Sequence, residues 1–284
     1  STLSSSSAAS DVYKRQGGNI GKLAICGTAN DVAVSGAIPR YLSCGFILEE
    51  GLPMETLKAV VTSMAETARA AGIAIVTGDT KVVQRGAVDK LFINTAGMGA
   101  IPANIHWGAQ TLTAGDVLLV SGTLGDHGAT ILNLREQLGL DGELVSDCAV
   151  LTPLIQTLRD IPGVKALRDA TRGGVNAVVH EFAAACGCGI ELSEAALPVK
   201  PAVRGVCELL GLDALNFANE GKLVIAVERN AAEQVLAALH SHPLGKDAAL
   251  IGEVVERKGV RLAGLYGVKR TLDLPHAEPL PRIC

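Results

Sequence analysis

The segment LPMETLKAVVTSMAETARAAGIAIVTGDTK, residues 52–81, contains the two patterns that decide the fold class. Between Pro53 and Gly72, apolar residues recur three or four positions apart, which predicts a helix over 52–72. The branched apolar run IAIVTG, residues 73–78, follows directly and predicts a buried strand that ends in the loop GDTK. A helix that leads into a buried strand is typical of α/β proteins. The apolar helix positions are Leu57, Val60, Val61, Met64, Ala65 and Ala68.

The same alternation continues along the chain. LFINTAGMG predicts another strand, and IPANIHWG then breaks the periodicity and predicts a domain boundary near residue 108. Beyond it we predict strands at DVLLVSG, GIEL, GKLVIAV and ALIGEVV. We predict helices ending near Gly139, from about Asp147 to Leu158, and at GGVNAVVHEFAAACG, AVRGVCELLG and AAEQVLAALH. We therefore expect an α/β (α+β) fold with mixed sheets flanked by helices, in two domains at 17–107 and 108–263.

The two ends of the chain differ from these domains. SSAASDVYKRQ, residues 6–16, looks like an in-frame translation of a sequencing adapter, so we expect residues 1–16 to be a non-native leader outside the fold. After residue 263 the periodicity fades, and Pro275, Pro279 and Pro281 predict an extended, flexible tail over 264–284. At roughly 3.3 Å per residue, such a tail carries Cys284 on the order of 60 Å.

Composition limits the classes of function. Hydrophobic residues make up 48% of the chain and charged residues 19%, with a net charge of -4, so the chain can bury a large core and has no basic excess for nucleic acid. No apolar run is long enough to span a membrane. Seven cysteines without regular spacing favour a reducing compartment, and we expect a cytoplasmic protein without membrane or nucleic-acid partners.

Two smaller features have structural interpretations. Cys186 and Cys188, in ACGCG, lack a second cysteine pair or nearby histidine to complete a zinc site, so we interpret them as core residues at a helix end. SGTLGDHG places Asp126 and His127 in a glycine turn, and for His127 a structural turn is the favoured interpretation.

Four polar clusters flanked by glycine are candidates for chemistry: GTAND (27–31), TGDTK (77–81), DATRGG (169–174) and NEGK (219–222). Each alone is also typical of turns and helix caps. Together they predict a nucleotide phosphate site, because they combine carboxylates for Mg²⁺, cations for phosphate and glycine N–H groups at a helix start. The carboxylates are Asp31 and Asp79, the cations Lys81 and Arg172, and the glycines Gly173 and Gly174. We expect Asn30, Thr80 and Asn219 to help bind the nucleotide.

These motifs also carry a resemblance. The segments GGNIGKLAICGTANDVAVSGAIP, GDTKVV, SGTLGDHG, DATRGGV, FANEGKL and PRIC resemble the HypE family of hydrogenase maturation proteins, over residues 17–284. The internal motifs alone resemble the wider superfamily of aminoimidazole ribonucleotide synthetase, selenophosphate synthetase and thiamin-monophosphate kinase. The cysteine of PRIC, Cys284, distinguishes HypE from those relatives. The resemblance implies the two-domain fold of aminoimidazole ribonucleotide synthetase (PurM-like).

The resemblance implies an ATP-dependent carbamoyl dehydratase. The Cys284 thiol would receive a carbamoyl group from the carbamoyltransferase HypF, and ATP would drive its dehydration to a thiocyanate. The cyanide would then pass to iron on a HypC–HypD scaffold complex. Glu220 is the candidate base, and Lys81 would orient it or the phosphorylated oxygen, although an ordinary ion pair between these two residues is the structural alternative. The Cys284 thiol has no obvious activation of its own, so we expect the carbamoyl donor to supply it.

The resemblance further implies a homodimer that pairs through its N-terminal domains, with ATP and Mg²⁺ bound between subunits. Members of the family begin with a glycine-rich stretch and a strand ending in Asp, and neither precedes Gly17 here. We therefore expect a shortened N-terminal domain that lacks one metal ligand and has an unpaired sheet edge. Two alternatives stay open: another ATP-dependent phosphoryl-transfer enzyme of the superfamily, and a non-enzymatic carrier or scaffold with a reactive thiol.

Overall fold

The chain is organised around two β-sheets. The structure is a computed structural model that describes residues 2–5, 18–140 and 144–275. Cys284, the end of the proline-rich tail and residues 6–16 of the segment predicted to be a leader lie outside the described residues. One sheet is formed by strands that end before residue 101, and the other by strands that begin at residue 117. This arrangement confirms the predicted α/β class with mixed sheets flanked by helices.

The first sheet has four strands in the order β1-β4-β2-β3. Strands β2 and β3 are parallel, as their connection through a helix requires, and the other neighbours are antiparallel. Two helices share a core with β2 and β4. The elements are β1 Thr2–Ser5, α1 Ile20–Val34, β2 Ile38–Glu49, α2 Met54–Ala70, β3 Ala74–Val83 and β4 Leu91–Ala100. Helix α2 confirms the helix predicted over 52–72.

The second sheet has seven strands. Its elements are β5 Val117–Val120, α3 Asp126–Glu136, α4 Thr152–Gln156, β6 Val164–Asp169, α5 Gly174–Cys186, β7 Gly189–Ser193, α6 Pro201–Leu210, β8 Leu223–Val227, α7 Ala232–His240, β9 Ala249–Val255, β10 Gly259–Ala263 and β11 Lys269–Thr271. The strand order is β11-β10-β7-β9-β5-β8-β6. Helix α5 covers one face, while α4 and α7 cover the other, so every residue of β8 is buried.

Helix α1 connects the two halves of the molecule. Ile20 and Ile25 belong to the core of the first sheet, whereas Ala33 and Val34 at its other end pack into the core of the second. The helix is therefore buried on most of its sides. GTAND, which we predicted to form a turn, lies inside this helix. Thr28 is paired with Thr95 of the first sheet, and Asn30 with backbone of the second half, so neither residue ends the helix.

Strand β3 corrects two expectations. The run IAIVTG does form a strand, but every residue of β3 except the half-buried Val83 is exposed, and GDTK continues the strand instead of forming a loop. Branched apolar residues favour an extended backbone, yet they do not determine what covers it. Within the described residues, β3 is an edge strand that no element covers.

Both chain ends take part in the sheets more than expected. Thr2–Ser5, in the segment interpreted as a leader, pairs antiparallel with β4, so this edge is paired where we expected an open one. Pairing uses backbone groups, which any extended segment supplies. At the other end, β11 pairs with β10 at 269–271, inside the expected flexible tail, and Leu272 is buried in the core.

No helix within residues 18–140 and 144–275 combines the length and the apolar character that a membrane-crossing helix needs.

Candidate functional site

Three of the four predicted clusters meet where α1 touches the second sheet. Asp31 lies on α1, Asp169 ends β6, and Glu220 precedes β8. The segment 146–149 joins them, although the sequence predicted a helix from about Asp147. The helix begins only at Thr152, and the extended stretch before it brings the Asp147 carboxylate to the 219–222 segment.

Asn30 fixes α1 to this site. Its Nδ2 donates to the carbonyl of Ala149 at 3.0 Å, and its Oδ1 accepts from the N–H of Leu151 at 2.8 Å. The side chain is buried, and both ends of the amide are used by backbone. Asn30, predicted to bind nucleotide, therefore joins the two halves of the molecule in the described conformation.

Asn219 has a similar position on the other side of the site. Its Oδ1 accepts from the N–H of Gly125 at 2.7 Å, and its Nδ2 donates to the carbonyls of Ala170 and Phe217 at 3.1 and 2.9 Å. The side chain is fully buried. The amide that we predicted to bind nucleotide thus holds three loops together around Glu220.

Glu220 is the most deeply buried carboxylate of the cluster, with 3% of its surface exposed. Burial raises its pKa well above the ordinary range, and nearby acidic groups raise it further. These groups are Cys148, Asp147, Asp169 and Asp31. A carboxylate with a raised pKa is suited to accept a proton near neutral pH.

One cation offsets this negative charge from inside the cluster. Lys222 Nζ lies 3.2 Å from Oδ2 of Asp147, and both side chains are largely buried. Oδ1 of Asp147 accepts from the backbone N–H of Glu220 at 3.0 Å. Asp147 therefore binds the NEGK segment at two points. The sequence did not single out Asp147, because this residue lay at the start of a predicted helix. The polar run SDC between the apolar residues of VSDCAV is the signal that could have identified it.

Asp169 and Asp31 form a second pair of carboxylates. Burial raises the pKa of Asp169 to about 6, and the charge of Asp31 contributes to this rise, while Arg168 opposes it. Asp31 is solvent-accessible, yet partial desolvation still raises its pKa against Arg168. Asp169 is 4% exposed, and its Oδ2 has no hydrogen-bond partner among residues 18–140 and 144–275. Such an oxygen beside a second carboxylate fits a cation.

The glycines of DATRGG are required by the backbone. Gly173 and Gly174 have φ of 75° and 61°, and a Cβ on Gly174 would lie 2.4 Å from the carbonyl oxygen of Leu215. The N–H of Gly174 donates to the carbonyl of Thr171 at 3.0 Å, so this predicted phosphate donor is used within the turn. Arg172 is exposed at the start of α5.

The TGDTK cluster lies apart from this site. Asp79, Thr80 and Lys81 are exposed on β3, and Asp79 accepts from the adjacent N–H of Thr80 at 2.8 Å. Asp79 is not among the groups that raise the pKa of Asp31 or Glu220. The predicted pairings of Asp79 with Asp31 and of Lys81 with Glu220 are therefore not formed within the described part of one chain.

Asp126 and His127 begin helix α3 after Gly125, whose φ is 83°. Asp126 accepts from Thr123 Oγ1 at 2.6 Å and from Lys200 Nζ at 3.0 Å. His127 is fully buried, its Nδ1 lies 2.8 Å from Ser146 Oγ, and burial lowers its pKa to about 4. These contacts give both residues structural partners, but His127 lies in the first turn of a helix and not in the glycine turn that the sequence favoured.

Among the described ranges, no group of three or more His, Cys, Asp or Glu side chains is arranged to hold a metal ion. Mg²⁺ in nucleotide enzymes, however, commonly uses one or two carboxylates together with phosphate oxygens and water. The pair of Asp31 and Asp169 meets that smaller requirement.

Comparisons with known proteins identify both halves. Residues 2–101 match the family "AIR synthase related protein, N-terminal domain", and residues 113–264 match "AIR synthase related protein, C-terminal domain". The chain is 50% identical over 271 residues to "Carbamoyl dehydratase HypE" from Cupriavidus necator, which covers 94% of this chain and 77% of that protein.

Solved structures give the same result. A crystal structure of E. coli HypE superposes with a TM-score of 0.96 at 93% identity, covering 100% of this chain and 87% of that one. HypE in complex with ATP superposes with a TM-score of 0.92 at 43% identity, covering 100% and 88%. HypE from a HypE–HypF complex superposes with a TM-score of 0.89 at 48% identity, covering 91% and 85%.

Proposed function

Because this chain belongs to the HypE family of carbamoyl dehydratases, with two AIR synthase related domains, we propose that it uses ATP to dehydrate a carbamoyl group carried on its own Cys284 sulfur. The net reaction converts a thiocarbamate, S–CO–NH₂, and ATP into a thiocyanate, S–CN, with ADP and phosphate as the other products. The oxygen lost from carbon leaves in the phosphate. Of the two nitrogen-bound protons, one ends on the phosphate as HPO₄²⁻ and the other is released.

The observation that carries this proposal is the anchoring of the tail beside the acidic cluster. Asn176 Nδ2, in the first turn of α5, donates to the carbonyl of Asp273 at 3.0 Å. That turn directly follows Asp169 and the two glycines. Nine residues, 276–284, follow Pro275 and can extend at most about 30 Å. The Cys284 thiol is therefore within reach of the cluster in its own chain.

Glu220 is our proposed base for the nitrogen-bound protons. Its buried carboxyl has the raised pKa that this task requires, and Asn219 and Asp147 hold its segment in place. ATP, when bound, would supply the phosphoryl group that turns the carboxamide oxygen into a leaving group. Exclusion of water around Glu220 would protect the activated carboxamide from hydrolysis.

Asp31 and Asp169 are our proposed Mg²⁺ ligands. The unpartnered Oδ2 of Asp169, buried beside the Asp31 carboxylate, supports this assignment. A cation there would remove the repulsion between the two carboxylates and attract phosphate oxygens. Arg172, exposed at the start of α5, would add positive charge for the nucleotide.

We propose that Asp79, Thr80 and Lys81 act from a second copy of the chain. The sheet that carries them exposes large apolar side chains, among them Val76 at 60% and Met98 at 70%. Between β3 and α2 lies a cavity of about 680 Å³ lined by Cys44, Phe46, Val61 and Met64. Exposed apolar surface of this kind favours association. A homodimer through this face would cover β3 and bring a lysine and a further carboxylate toward a neighbouring site.

HypF is our proposed carbamoyl donor, because a relative of 48% identity is found in a HypE–HypF complex. We further propose that a HypC–HypD complex accepts the cyanide for the iron of [NiFe] hydrogenase. The six cysteines of the described residues are all free, which supports a cytoplasmic location.

Intact-mass spectrometry tests the dehydratase function. The full chain, incubated with HypF, its carbamoyl donor and MgATP, should gain one carbamoyl group and then lose one water. The Cys284→Ser variant should show neither change. Nucleotide turnover by Cys284→Ser at the wild-type rate, with no adduct on the wild-type chain, would instead support a kinase that acts on a small acceptor. An unmodified wild-type chain without turnover would support a carrier.

A further inference from the structure

A pair of cysteines lies at the junction of α5 and β7, on the opposite end of α5 from the proposed active site. Cys186 is the last residue of α5, Gly187 follows the helix, and Cys188 directly precedes β7. The sequence suggested that both are core residues. In the structure both are only partly buried, at the edge of the core of the second sheet.

The backbone brings the two side chains together. Gly187 has φ of 72° and ψ of 9°, and its N–H donates to the carbonyl of Ala183 at 3.0 Å, so the chain reverses sharply between the cysteines. The two side chains are close enough for Cys188 to contribute to the raised pKa of Cys186, although burial is the larger cause. Two peptide bonds limit the separation of their Cα atoms to about 7.6 Å. Disulfide bonds usually span about 4.4–6.8 Å between Cα atoms, a range that this turn can meet.

The other described cysteines differ from this pair. Cys26, Cys44 and Cys148 are buried. Cys207 is also partly buried, but no other cysteine is near it in sequence. Only the CGC turn, within the described part of the chain, combines two adjacent thiols with access to solvent.

We propose that Cys186 and Cys188 form a site of reversible disulfide formation with low-molecular-weight disulfides such as oxidised glutathione. In the first step, one protein thiolate attacks the external disulfide and forms a mixed disulfide, releasing one glutathione thiolate. In the second step, the other protein thiolate attacks the mixed disulfide and releases the second glutathione. The protein dithiol loses two electrons and two protons, and these reduce one glutathione disulfide to two thiols.

The surroundings indicate an order of attack. Burial raises the pKa of Cys186, and its Sγ lies 3.7 Å from the carbonyl of Ala183 at the negative end of α5. Because both effects disfavour its thiolate, we assign the first attack to Cys188 and the second to Cys186. An eleven-membered ring closed around one glycine is strained, which makes such a disulfide easy to reduce again.

Peptide mapping tests the proposal. Cleavage after Arg172 and Arg204 releases both cysteines on one peptide that contains no other cysteine. The full chain is incubated with oxidised glutathione and then alkylated. The peptide should carry no alkyl group, and its mass should be two hydrogen atoms below that of the reduced, unalkylated peptide. Reduced glutathione should restore both alkylation sites. Cys207 is the internal control: burial raises the pKa of its thiol to about 11, so it should stay reduced and become alkylated.

Single substitutions distinguish an intramolecular disulfide from general thiol oxidation. Cys186→Ser should stop at a glutathione adduct on Cys188, and Cys188→Ser should react several-fold more slowly. Gly187→Ala, which disfavours the positive φ, should lower the yield of the intramolecular disulfide. If wild-type Cys186 and Cys188 carry separate glutathione adducts, or stay as reduced as the buried Cys44, the proposal is wrong.

Discussion

The ammonium group of Lys222 lies 3.2 Å from a carboxylate oxygen of Asp147, in a position where almost no water reaches either side chain. The other oxygen of Asp147 binds the backbone N–H of Glu220. One short segment thus provides both the proposed base and a cation that offsets nearby negative charge. This pair lets several carboxylates gather around Glu220 without forcing the segments apart.

We expect Lys222→Met to destabilise the protein by roughly 3 kcal/mol, because it leaves the charge of Asp147 buried without its partner. Urea denaturation monitored by circular dichroism measures the change in unfolding free energy. Arg229→Met is the matched control, since its ion pair with Glu253 is exposed and should contribute at most about 1 kcal/mol. If both substitutions lower the unfolding free energy by the same amount, the buried Lys222–Asp147 pair contributes no more to stability than an exposed pair does.

Glu220→Gln should strongly slow dehydration while MgATP binding is retained. The amide keeps the shape of the side chain but cannot accept the nitrogen-bound proton, so we expect a loss of roughly 10²–10⁴-fold in rate. In the wild type, the rate should rise with pH through the raised pKa of Glu220. Single-turnover mass spectrometry on carbamoylated chain measures this rate, with Glu253→Gln as an exposed control. A normal rate in the variant would remove Glu220 from the mechanism.

Asp169 makes stability depend on pH. Its pKa is about 6 in the folded protein and about 4 when unfolded, so between these values the folded state holds a proton that the unfolded state has lost. Stability therefore falls as pH rises through this window. Relative to wild type, Asp169→Asn should gain up to roughly 3 kcal/mol between pH 4 and pH 7. Urea denaturation across this range measures the difference, and a difference independent of pH would contradict the prediction.

Asp169→Asn should also reduce the effect of MgATP. If Asp169 holds Mg²⁺, the variant should show a smaller rise in melting temperature on addition of MgATP than the wild type does. Glu233→Gln, which changes an exposed carboxylate on α7, serves as the control. An equal rise in all three proteins would exclude Asp169 as a ligand.

Much of the fold could be predicted from sequence because local patterns and packing agree. The helix over 52–72 and the strand GKLVIAV follow their periodicity, and α5 begins at its two glycines as predicted. Helix α1 could not be predicted in this way. It is buried on most sides, so its apolar residues do not form one face, and its polar residues are satisfied by partners distant in sequence, such as Thr95 for Thr28.

Only part of the site could be predicted, because the partners of its polar residues are also distant in sequence. Motifs identified Asp31 and Glu220 as site residues. The DATRGG motif contained Asp169 without assigning it a role, and the fold brings all three carboxylates together. The motifs did not show that Asn30 and Asn219 bind backbone, because an amide at a turn has the same sequence signature whether it binds a ligand or the chain itself. Nor did they separate Asp79 and Lys81 from the cluster, since that depends on which edge of the sheet β3 occupies.

Val76→Lys should disrupt self-association of the chain. Val76 is 60% exposed on the edge strand β3, where a charged lysine opposes both apolar burial and strand pairing. Sedimentation velocity should therefore show a shift from dimer toward monomer, together with loss of MgATP-dependent dehydration if Lys81 acts from the second copy. Leu209→Lys, at 65% exposure on α6, is the control and should leave the dimer intact. A Val76→Lys chain that remains dimeric would show that this sheet face is not the contact between copies.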